Sequence, residues 1–217
     1  KVLTMAITKS KTRMVFSTGS TFAEPTTSIY ATHTPADRLK FASICTIGSS
    51  IYVHISYQKS STMWNKVYKY SLDVSGNLTE TLHIDLSNTS DHITTSYMYY
   101  MSTRGYLYIL SPDLGLKQVA ISSASVSDVT IPTNATGMAW MGLTSITAPS
   151  GKDYLIIGET KSNGYQLHQR DMLDGSVSSF TSMGSALNED LKYLTRMDFN
   201  QVDSSGNYIQ LIIHQVM

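Results

Sequence analysis

The chain has 217 residues, enough for a sizeable core, and its 16 basic residues balance 16 acidic ones at 15% charged content. That neutrality excludes a generic nucleic-acid binder, which needs surplus Lys and Arg to displace counterions from phosphates. Ser and Thr make up about a quarter of the residues, with 14 Tyr beside them, a composition of strands and turns rather than helices.

Two short apolar runs open the chain, at 2–7 and 13–17, around a Lys-Ser-Lys-Thr turn. Lys9, Lys11 and Arg13 form the densest basic cluster and read as a solvated turn. From 18 to 38, Pro25, Pro35 and many Thr and Ser predict a long connection with a short strand near Ser28-Ile29-Tyr30-Ala31. Long connections in compact domains are uncommon and often functional, so this one is a site candidate.

Beyond it a unit recurs. A polar, Gly-containing turn leads into a tyrosine and then apolar residues, at Gly48 to Val53, Gly105 to Tyr108, Gly151 to Ile156 and Gly206 to Gln210. The tyrosines, Tyr52, Tyr106, Tyr154 and Tyr208, stand 54, 48 and 54 residues apart. A repeat of that length is one supersecondary unit used several times. An apolar-aromatic run precedes each tyrosine, at 41–47, 93–101, 138–146 and 193–199. A third run with period-two alternation follows, at 66–72, 116–121 and 165–170, and a weaker fourth at 78–86, 125–131 and 176–182. One short helix is expected at 186–191.

Four strands with tight turns, repeated, describe propeller blades. The sequence therefore predicts a single all-β domain, a β-propeller of four blades with five as the alternative. The units fall at about 38–90, 91–135, 136–186 and 187–217. The last unit has only two strands of its own, and residues 1–17 are expected to complete it, closing the ring and removing exposed edges.

The chemistry is sparse. Cys45 is the only cysteine, lies in an apolar stretch and reads as a structural thiol, so no intrachain disulfide is expected. No phosphate loop, paired-Cys zinc spacing or His-Glu-x-x-His occurs, and no cofactor or metal is expected. The six histidines fall in different parts of different repeats and read as structural. The four glutamates offer no matched pair for glycoside hydrolysis. Asp198, on a first strand of the repeat, is a channel candidate. The longest apolar stretch is too short for a bilayer, so no membrane insertion is expected. Three sequons, at Asn77, Asn88 and Asn134, lean toward an extracellular, secreted setting.

Sugars are held by aromatic faces and small polar side chains, and this chain is rich in both. Trp64 is the leading candidate, in a predicted loop with Tyr57 and Asn65; Asn163 and Tyr165 occupy the corresponding loop of a later repeat. Trp140 is assigned to packing, as are the four phrase tyrosines. The expected function is a non-catalytic binding module, a carbohydrate-binding lectin whose partner is a glycan or glycoprotein, with self-association left open. The alternatives are a protein-interaction scaffold on one propeller face and a hydrolase with its site in the central channel.

Overall fold

The computed structural model describes residues 2–7, 14–19, 27–29, 38–59, 62–72, 78–89, 96–132, 140–147, 152–161, 164–172, 179–187, 194–202 and 208–215. Every described element is a strand, in five antiparallel sheets. The first contains β1 (Val2–Ile7), β2 (Met14–Gly19) and β3 (Thr27–Ile29). The second contains β4 (Arg38–Ile47), β5 (Ser50–Lys59), β6 (Thr62–Leu72) and β7 (Leu78–Asp85). The third contains β8 (Tyr97–Met101), β9 (Tyr106–Ser111), β10 (Gly115–Ala120) and β11 (Ser125–Val129). The fourth contains β12 (Trp140–Thr147), β13 (Asp153–Lys161), β14 (Gly164–Asp171) and β15 (Thr181–Leu187). The fifth contains β16 (Leu194–Val202) and β17 (Tyr208–Gln215). Each sheet is a meander, its strands hydrogen-bonded in chain order.

The second strand of each four-stranded sheet begins at a phrase tyrosine or within two residues before it, and Tyr208 opens β17. The turn ahead of the tyrosine explains the glycine. In the second sheet Ile47 pairs with Ser50, leaving Gly48-Ser49 as a two-residue loop with φ +59° at Gly48. Positive φ at the first loop position alone is the pattern of a type II′ turn, whose twist matches the flanking strands. The third sheet uses a longer loop three times. Met101–Tyr106, Ser111–Gly115 and Ala120–Ser125 pairs close turns whose left-handed residues are Gly105 and Ala124 within the first and last and Gly115 at the closing rung of the middle one, at φ +68°, +54° and +67°. The amides of Arg104 and Gly105 both donate to the Met101 carbonyl. Pro112 sets the middle turn, and Ser111 Oγ accepts from the amides of Asp113 and Leu114.

The sheets stack face to face. Tyr52, Val67 and Ile84 of the second sheet pack with Leu107, Ile109 and Val119 of the third. On the opposite face of the third sheet, Met101, Tyr108, Leu110, Leu116 and Val129 pack with Leu143, Leu155 and Ile157 of the fourth. β9 is consequently buried on both faces from Leu107 to Ser111, which is why its sequence is a continuous apolar run instead of an alternating one. The first strands follow one another: β4 lies against β8, β8 against β12, and β12 against β16.

Several expectations are modified. The short strand near 28 is present as β3 and pairs with β2, making the N-terminal residues a sheet of their own. The expected joining of 1–17 to 193–217 is not among the described ladders, which place β1–β3 and β16–β17 in separate sheets. The fourth strand of the fourth sheet lies at Thr181–Leu187, later than expected. It absorbs Ala186 and Leu187 of the expected helix; residues 188–191 lie outside the described set.

Candidate functional site

The expected loop from Tyr57 to Asn65 is instead the tip of the β5–β6 hairpin, with the ladder continuing to Lys59–Thr62. Strand alternation then sorts the candidates. Tyr57 and Trp64 are directly opposed and share one face, while Asn65 stands opposite Ser56 on the other. On the Tyr57–Trp64 face, Lys66 Nζ sits 5.9 Å from the Trp64 ring centroid and 2.6 Å from Asp85 Oδ1. Trp64 is half-buried, Tyr57 is buried, and the Asp85 side chain is 62% exposed. Burial raises the Tyr57 phenol above its usual pKa, and the Lys66 ammonium pulls it partly back. The hairpin and β7 therefore place an aromatic pair, a largely covered cation and an accessible carboxylate side by side.

Asn65 is 2% exposed and binds elsewhere, its Nδ2 donating to the Ser87 carbonyl at 2.8 Å and to Thr89 Oγ1 at 3.1 Å. Tyr165 is in β14, paired with Thr160 and Leu187, not in a loop. Asn163 lies outside the described residues. Asp198 is in β16, a first strand as expected, opposite Ile212. The expected sugar-binding set is thus divided: Tyr57 and Trp64 come together, and Asn65 does not join them.

The ladders also reveal a rung that sequence reading missed. Three residues after the first three phrase tyrosines stands an isoleucine, Ile55, Ile109 and Ile157; after Tyr208 the same place is taken by Leu211. Each isoleucine is opposed on the third strand by a base, Lys66, Lys117 or His168. Each base is opposed on the fourth strand by Asp85, Asp128 or Ser182. Lys66 and Lys117 form ion pairs with their aspartates. Lys117 is 6% exposed and also donates to Ser87 Oγ of the preceding segment at 2.9 Å. In the fourth sheet His168 Nε2 lies 2.9 Å from Glu159 Oε2, and its Nδ1 lies 3.5 Å from Ser182 Oγ. The signal was available as Tyr-x-x-Ile, but its basic and acidic partners are separated from it by loops of different lengths.

The neighbouring rung varies. It is Tyr57–Trp64 in the second sheet, Ser111–Gly115 in the third and Glu159–Gln166 in the fourth. In the third and fourth sheets the isoleucine of the constant rung packs between sheets, whereas the adjacent rung differs from sheet to sheet. Among the described residues no group of three or more His, Cys, Asp or Glu is placed to hold a metal ion. No protein-family model matches this chain, and no curated protein matches it.

Proposed function

We propose that this chain is a non-catalytic carbohydrate-binding module of β-propeller architecture. The propeller reading is supported by successive meanders stacked face to face, with β4, β8, β12 and β16 adjacent in order. In that reading β17 and β1, each at the edge of its sheet, would meet to close the ring. The binding reading rests on one observation, the opposed Tyr57–Trp64 pair beside Lys66 and Asp85. A pyranose places its apolar face on an indole and its hydroxyls against a donor and an acceptor, and Lys66 and Asp85 supply both. Because the two charges neutralise each other, the site suits a neutral saccharide better than an acidic one. Glycan-array screening of the purified chain tests this: neutral glycans bind, and Trp64→Ala loses the signal while retaining the fold. Absence of binding to every glycan overturns it.

The hydrolase reading has its own observation, the line from Ser182 through His168 to Glu159. The Ser182–His168 separation of 3.5 Å is long for an activating hydrogen bond, and the same rung carries Lys–Asp pairs in two other sheets. A packing role for this line is therefore favoured. Covalent labelling of Ser182 by a fluorophosphonate would reverse that ranking.

A further inference from the structure

Two buried polar atoms between the second and third sheets have no hydrogen-bond partner: His54 Nε2 and Asn65 Oδ1. Their residues are 0% and 2% exposed, so bulk solvent does not reach them. Both side chains lie on the face of the second sheet that packs against the third. His54 alternates with Tyr52 on β5, and Asn65 with Val67 on β6, and Tyr52 and Val67 belong to that interface. His54 stands opposite Val67 and Asn65 opposite Ser56, which makes His54 and Asn65 diagonal neighbours on one face. Diagonal neighbours are within reach of each other for long side chains.

The remaining polar atoms of both residues are committed to the segment crossing between the sheets. His54 Nδ1 is 2.7 Å from Ser96 Oγ, which is 2.6 Å from Ser43 Oγ. Asn65 Nδ2 donates to Ser87 and Thr89, and Lys117 of the third sheet donates to the same Ser87.

We propose that one ordered water molecule bridges His54 Nε2 and Asn65 Oδ1 in the seam between the second and third sheets. Asn65 Oδ1 is an acceptor only, so the occupant must donate to it. If Ser43 donates to Ser96 and Ser96 to His54 Nδ1, the imidazole proton is on Nε2, and the occupant must accept from it. A hydroxyl does both, and burial excludes anything much larger than water. The result is a continuous chain from Ser43 through Ser96, His54, water and Asn65 to Ser87 and Thr89, fastening both ends of the crossing segment. Buried waters of this kind satisfy groups that folding would otherwise strand.

The test uses the unmodified chain. A crystal structure that resolves ordered solvent is expected to show one peak within hydrogen-bond distance of both atoms. Water-selective NMR transfer is expected to reach the His54 ring protons from a long-lived water. A structure in which the two atoms bond to protein groups, or lie against apolar atoms with no solvent peak, overturns the proposal. So does the absence of water transfer to an otherwise assigned His54 ring.

Discussion

Lys117 stands on the same rung of the third sheet that Lys66 occupies in the second, each between an isoleucine and an aspartate. The two pairs differ in setting. The Lys117 side chain is 8% exposed and its aspartate 80%, and Lys117 has a second acceptor in Ser87.

That asymmetry predicts unequal costs for the two halves of the pair. Lys117→Ala removes two bonds that cross between elements together with the packing of a buried side chain, a loss of about 1–3 kcal/mol. Asp128→Ala removes a solvent-exposed partner and is expected to cost at most about 1 kcal/mol. Denaturant unfolding of the two variants measures the difference; equal losses would mean that the ion pair, not the Ser87 bond, holds the rung.

Ala124 occupies a left-handed turn position that Gly105 and Gly115 occupy in the two preceding loops of the same sheet. An L side chain there is strained by about 1–2 kcal/mol, which outweighs the entropy a glycine loses on folding. Ala124→Gly is expected to stabilise the chain by about 0.5–1 kcal/mol. Gly105→Ala should destabilise it by about 1 kcal/mol, although an added Cβ would meet nothing within 4 Å. Thermal unfolding reads both signs.

Burial lowers the His54 pKa from 6.5 to about 4. The imidazole is therefore neutral in the folded chain, whereas the unfolded chain takes up a proton near pH 6.5. The stability tied to the neutral ring is fully present above that pH. It is lost as pH falls from there towards about 4, because only the unfolded chain binds the proton. The total loss is up to about 3 kcal/mol. Unfolding free energies measured across this interval should show the slope, and His54→Gln should flatten it.

Leu107 and Leu110 are both 0% exposed and lie on opposite faces of β9. Truncation of either to Ala is expected to cost about 2–5 kcal/mol. A strand with one solvent face would show a large loss at one position only. Chemical denaturation of the two variants distinguishes these cases.

Much of the strand layout was legible because it depends on local signals. The glycine turn at Gly48 and the alternation of 66–72 each specify their geometry within a few residues. The Trp64 segment was misplaced because its polar flanks resemble a loop, whereas cross-strand pairing with Tyr57 holds it in a hairpin. Asn65 was assigned with Trp64 because the two are adjacent in sequence. In a strand, adjacency places them on opposite faces. The Lys–Asp rung and the His54–Ser96 bond join residues from separate segments of the chain, so no local pattern announces them.

The double covering of β9 also bears on how the molecule opens. A sheet with an outer face can fray towards solvent while its neighbour stays intact. The third sheet is clamped by the second and fourth, so exposing β9 requires separating two apolar interfaces. Its amide hydrogens should exchange with solvent only through the largest openings the chain undergoes. Amides of β11, whose Ser125 to Asp128 are exposed, should exchange sooner. β9 would then be a slow clock, timing the parting of two interfaces at once.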